Sequence, residues 1–276
     1  MKTSVFKTVE GREKVRDYYN SVLSRFPFAQ RYVETAFGKT FLLAAGEESD
    51  PPIILLHGSC SNSAFWFPEM TALSGDFRVY AVDIIGEAGN SEEYRPDLHT
   101  DAFALWLKDV LDALGLEDAV LIGNSLGGWM ALKFATDYPK RVSRLILIAS
   151  AGLAQIRPQF LSDAAKARQA DGTVPATPSM IGEQSMPKEV LDFINLIAQN
   201  YNPIQELPVY TDEQLKRLHM PVLFIDGEND GIIEAEQSAQ RLSRLVPPAE
   251  IHLLPNGGHA VINSLEYIIP FLRKEA

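Results

Sequence analysis

Four short apolar runs in this chain each end in residues that can do chemistry. Gly123-Asn124-Ser125-Leu126-Gly127-Gly128 follows the run Ala119 to Ile122 and opens a helical pattern, Leu126 to Asp137. Glycines two residues before and two after a serine fit a strand-to-helix turn too tight for side chains at those places. Such a turn lifts the Ser125 hydroxyl above the end of its strand, where it can attack a carbonyl carbon. His57-Gly58-Ser59-Cys60 closes an earlier run, Ile53 to Leu56. Its use would be to present a backbone N–H, that of Ser59 or of Cys60, opposite the N–H of Leu126. Two such donors stabilise the oxyanion of a tetrahedral intermediate. His57 reads as the holder of this loop and not as a proton carrier.

The partners of a nucleophilic serine come late in the chain. Asp226-Gly227-Glu228-Asn229-Asp230 follows the run Val222 to Ile225, and Asn256-Gly257-Gly258-His259 follows the weaker run Ile251 to Leu254. A histidine takes the hydroxyl proton, and a carboxylate behind it fixes the imidazole tautomer. Asp226, Glu228 and Asp230 all compete for that second role. His252 lies inside a run, and His99 and His219 flank helices without a glycine-rich turn, so His259 is the expected base. Cys60, the sole cysteine, has no base beside it in the sequence and reads as a bystander at the pocket.

Positioning these residues requires strands and helices in alternation. The runs at 53–56, 77–82, 119–122, 145–149, 222–225 and 251–254 have the continuous apolar character of strands buried on both faces. Between them lie amphipathic helices at Thr100 to Leu114, Leu126 to Asp137, Ala235 to Leu245 and Val261 to Leu272, with an N-terminal one over 10–24. Arg31 to Ala45, turning at Gly38, reads as a hairpin. The expected fold class is α/β, a mostly parallel central sheet with helices on both faces. The alternation breaks at 152–220, which carries helical pieces and prolines but no buried strand. Residues 1–151 and 221–276 are therefore expected to form the core, and 152–220 a helical cap or lid insertion. The best helix there runs from Pro187 to Tyr201.

With serine, acid and histidine in that chain order at strand ends, the sequence resembles the α/β-hydrolase superfamily over essentially its whole length, as a carboxylesterase-like serine hydrolase. The stretch Asp83 to Ser91 resembles the family's D-x-x-G-x-G-x-S pattern, with Ala88 as an extra residue between the glycines. The resemblance aligns the G-x-x-D pattern with Gly227 to Asp230 and so favours Asp230 as the acid. It implies a Ser125–His259–Asp230 triad, an oxyanion hole from the Ser59 and Leu126 N–H groups, and an acyl-enzyme intermediate released by water. Cleavage of a small carboxylic ester is the expected reaction. A C–C bond hydrolase, lactonase, thioesterase, perhydrolase or slow-turnover ligand receptor would use the same triad. The loop His57-Gly58-Ser59-Cys60-Ser61-Asn62 departs from the His-Gly-x-Gly-Pro-Gly pattern that C–C hydrolases share.

Composition narrows the partners. A net charge of -11 disfavours nucleic acid and anionic membranes, both of which need cationic patches. The histidines show no metal-binding spacing, so no metal and no cofactor is expected. No apolar segment suggests a membrane span or a secretory signal, which gives the cytoplasm as the expected compartment. A small-molecule ester is the expected partner, and oligomeric state is unreadable. Cys60, Trp66, Trp129, Phe193 and Ile197 are the expected pocket residues.

Overall fold

Alternate residues of the central apolar runs are buried on opposite sides of one sheet, which is why those runs are unbroken. Ile53 and Leu55 pack with one apolar cluster, Ile54 and Leu56 with the other; Leu145 and Leu147 oppose Ile146 and Ile148 in the same way. The computed structural model describes residues 5–160, 186–204, 206–247 and 249–274. Its strands are β1 (Ala29–Thr35), β2 (Gly38–Ala45), β3 (Pro52–Leu56), β4 (Arg78–Val82), β5 (Ala119–Asn124), β6 (Val142–Ile148), β7 (Val222–Gly227) and β8 (Glu250–Leu254). They form one eight-stranded sheet in the order β1-β2-β4-β3-β5-β6-β7-β8. β1 and β2 form the expected hairpin, and β2 pairs antiparallel with β4. All remaining pairs are parallel.

Helices α3 (Ala102–Ala113), α4 (Leu126–Asp137), α6 (Asp212–Leu215) and α7 (Ala235–Leu245) cover one face. The other face carries α1 (Val9–Leu23), α2 (Phe67–Leu73), α5 (Lys188–Asn200) and α8 (Leu265–Leu272). Parallel strands put their carboxyl ends on one rim, and the loops after β3, β5, β7 and β8 gather there.

Two helix starts differ from the sequence expectation. α3 begins at Ala102, because the Thr100 hydroxyl turns back to donate to the Asp97 carbonyl at 2.8 Å. α8 begins only at Leu265: Val261 to Ser264 remain in the loop that carries His259. The expected cap falls partly outside the described residues, since 161–185 and 205 are not among them. Its described helix, α5, docks on the N-terminal segment. The Lys7 N–H donates to the Asn200 carbonyl at 2.8 Å and the Asn202 N–H to the Val5 carbonyl at 2.9 Å. The apolar stripe of α5 meets α1 through Phe193, whose ring lies 4.9 Å from that of Tyr18.

Candidate active site

Ser125 occupies φ 51° and ψ −108°, a region that a residue with a β-carbon avoids unless it is held there. The hold is made by backbone. The Ser125 N–H donates to the Ile148 carbonyl at 2.9 Å, and the Ser125 carbonyl accepts from Trp129 and Ala151 at 3.0 and 3.2 Å. The flanking glycines are obligatory: a Cβ on Gly127 would stand 2.0 Å from the Leu56 carbonyl oxygen, and one on Gly123 2.4 Å from that of Gly127. These neighbours are main chain and cannot swing aside.

The late loops bring their side chains to this hydroxyl. His259 Nε2 lies 3.0 Å from Ser125 Oγ, and His259 Nδ1 lies 2.6 Å from Asp230 Oδ2. Asp230 is buried, and its Oδ1 accepts the N–H groups of Ile232 at 2.6 Å and Ile233 at 2.9 Å. Burial pushes its carboxyl upward, but the adjacent His259 and the two backbone donors outweigh it and hold the group below the ordinary value. Of the three competing carboxylates, Asp230 is the one that meets His259. Glu228 is exposed, while Asp226 is buried behind Asp230. Burial, then the charge of Asp230, drives the Asp226 carboxyl far above the ordinary range.

Ser125 opens into a cleft of about 2950 Å³, which Ser59, Cys60 and Leu126 also line. His57 anchors the Ser59 loop as expected. Its Nε2 accepts the Ile84 N–H at 3.0 Å, which leaves Nδ1 to donate to the Gly58 carbonyl at 2.8 Å. Burial lowers its pKa, so the ring is kept neutral and fully engaged. Cys60 is half-buried beside it at φ 55°.

The aromatic wall is split. Trp66 and Phe193 line the cleft, and the Phe193 ring stacks on Phe65 with centroids 5.4 Å apart. Trp129 does not line it: its Nε1–H donates to the Pro208 carbonyl at 2.8 Å, and its ring packs edge-on to Phe103. Ile197 is likewise turned into the core beneath α5, fully buried with Tyr201. Nearness to the serine turn suggested Trp129 and an apolar stripe suggested Ile197, but neither signal says what a side chain faces. Glu69 and Ser264 line the cleft unforeseen, with Ser264 Oγ donating to Glu69 Oε1 at 3.2 Å across 195 positions. No local pattern links residues so far apart. Glu87 receives the Tyr201 hydroxyl and pairs with Arg95 at 3.6 Å, tying the end of α5 to the loop after β4. Among the described residues, no cluster of three or more His, Cys, Asp or Glu is arranged to hold a metal, and no helix is long and apolar enough to cross a membrane.

A family model for the alpha/beta hydrolase fold matches residues 51–199. The chain belongs to the α/β-hydrolase family. Carboxylesterase YbfK of Bacillus subtilis is 34% identical, with 95% of this chain and 93% of that protein covered. The crystal structure of that esterase matches with a TM-score of 0.86 at 33% identity, covering 97% of this chain and 100% of that one. Naproxen esterase from Bacillus subtilis gives a TM-score of 0.82 at 27% identity, with 97% and 100% covered. A further relative, 2-hydroxy-6-oxo-2,4-heptadienoate hydrolase of Pseudomonas putida, is 28% identical over 76% of this chain and 83% of its own length.

Proposed function

We propose that this α/β hydrolase is a serine carboxylesterase acting on small carboxylic esters. The observation that carries the reading is the continuous hydrogen-bonded chain Ser125–His259–Asp230 at the floor of an open cleft. His259 Nε2 takes the Ser125 proton as Oγ attacks the ester carbonyl, and Asp230 keeps the opposite nitrogen protonated and stabilises the imidazolium. The Ser59 and Leu126 N–H groups receive the oxyanion. The imidazolium then protonates the leaving alcohol, and water, deprotonated by His259, frees the acid from the acyl-enzyme. The 152–220 stretch serves as a cap, with Phe193 and Ile194 of α5 walling the substrate side of the cleft.

The test is covalent. A fluorophosphonate should label Ser125, established by peptide mapping. Ser125→Ala should lose labelling and at least about 10⁴-fold in ester turnover while melting normally. A tenth of wild-type activity left in Ser125→Ala would sink the nucleophile. A ring-fission dienoate belongs in the substrate panel beside the esters, because one relative acts on that class. Faster turnover of the dienoate than of any ester would replace the esterase reading with C–C hydrolysis.

A further inference from the structure

Asp226 takes no step in the reaction above and does not line the cleft, yet it is fully buried near the end of β7. Its Oδ1 accepts the Gly227 N–H at 2.8 Å. Its Oδ2 is buried and meets no N–H or hydroxyl donor among the described residues. The tight turn after β7, in which the Asp230 N–H donates to the Gly227 carbonyl at 3.1 Å, sets the Asp230 carboxyl beside it. Two buried carboxyl oxygens stay in contact only with a proton between them. Asp230 cannot be the one to carry it: one oxygen faces His259 Nδ1, and the other accepts two backbone N–H groups.

We propose that Asp226 is a positioning residue, a neutral carboxylic acid that donates its proton in a hydrogen bond to the Asp230 carboxylate and so sets how strongly Asp230 holds and charges His259. The proposal rests on the esterase reading, since it acts through that triad. The surroundings agree with a neutral group. The register partner of Asp226 on β8 is the apolar Leu253. The charged groups facing the pair are His259, across Asp230, and Arg157, whose pull on Asp226 ranks behind burial and Asp230. Arg157 is itself engaged, with Glu234 at 2.9 Å and with the Ile233 carbonyl at 3.2 Å.

Two substitutions separate the donor from mere space-filling. Asp226→Asn keeps an N–H donor toward Asp230 and cannot ionise. Asp226→Leu has similar bulk and no donor. kcat/KM for a soluble nitrophenyl ester is measured from pH 5 to 10 for each. Asp226→Asn should keep the acid limb of wild type and lose the alkaline decline that appears where Asp226 ionises beside Asp230. Asp226→Leu, stripping Asp230 of a donor, should move the acid limb upward by about one pH unit. Any result in which Leu fails to move that limb further than Asn overturns the proposal. If Asp226→Leu does not fold, wild type and Asp226→Asn decide it alone: coincident alkaline limbs overturn it, and loss of the decline in Asn upholds it. Fluorophosphonate labelling of wild type keeps the two failures apart. An unlabelled Ser125 removes the esterase reading, whereas a labelled Ser125 with coincident profiles removes only the role of Asp226.

Discussion

Asp230→Asn tests the site with one exchanged atom, and its consequence follows from the hydrogen bonds around that atom. The Oδ1 position faces two backbone N–H groups at 2.6 and 2.9 Å, so the amide oxygen must go there. The NH2 group then faces His259 Nδ1, where the carboxylate oxygen now stands at 2.6 Å. Turning the amide over would set its NH2 against two buried donors, a loss of about 1–3 kcal/mol for each, to regain one bond to histidine worth about 1 kcal/mol. The amide therefore donates to Nδ1 and forces the neutral imidazole to carry its proton on Nε2. That proton points at Ser125 Oγ, 3.0 Å away, and the ring cannot accept another from it. The expected loss is about 10⁴-fold in kcat, or ~5.5 kcal/mol of transition-state stabilisation. Steady-state hydrolysis of a nitrophenyl ester near neutral pH measures it, with active-site titration to count competent enzyme and a melting curve to show the fold. Glu228→Gln, an exposed change in the same loop, is the control and should stay within about twofold of wild type. A loss below about 100-fold in a folded Asp230→Asn would refute the tautomer argument.

The other outcomes follow from single contacts. Burial raises the Glu87 carboxyl from 4.5 to about 7 against the pull of Arg95 and Tyr201, so between those values the folded protein holds a proton that the unfolded chain has lost. Stability should therefore fall as pH rises through that window, by up to ~3 kcal/mol, and level off above it. Glu87→Gln should flatten that part of the Tm–pH curve, and an unchanged slope would contradict the assignment. Trp129→Phe removes the bond to the Pro208 carbonyl and should cost about 1–2 kcal/mol of stability in a denaturant titration, leaving kcat/KM within twofold. Phe193→Ala should shift the acyl-chain preference in an ester panel. Ile197→Ala should lower Tm without shifting that preference, because its side chain is buried away from the cleft; the opposite pattern would reverse their placement.

What the sequence made legible depended on how local each constraint is. The serine turn is written in six consecutive residues, since the backbone that excludes side chains at Gly123 and Gly127 belongs to the turn itself and the adjacent strand. The sheet was legible from its unbroken apolar runs. Asp230 was preferred over Asp226 by resemblance, and the physical reason lies outside the motif, in the N–H groups of Ile232 and Ile233. The burial of Asp226 next to Asp230 was not legible, because depth is set by the strands and loops packed around both residues. Trp129 and Ile197 show the same boundary from the apolar side. Periodicity marks which residues turn inward, but whether a cleft or a core awaits them is decided by distant partners such as Pro208 and Tyr201.

The acid and histidine loops touch through main chain. A Cβ on Gly227 would lie 2.3 Å from the carbonyl carbon of Gly257, and the Asn229 N–H donates to the Gly257 carbonyl at 2.9 Å. A larger residue at Gly227 would push the two loops apart and so separate Asp230 from His259. The opposite wall of the cleft is built from side chains of α1, α5 and the segment near Arg95. Sequence drift is thus channelled to one side: an ancestor could remodel the walls of the cleft one side chain at a time, while the crossing that sets Asp230 beside His259 stayed fixed. For directed evolution, a library confined to the α1 and α5 wall should stay rich in active clones, and one placed on Gly227 should be nearly barren.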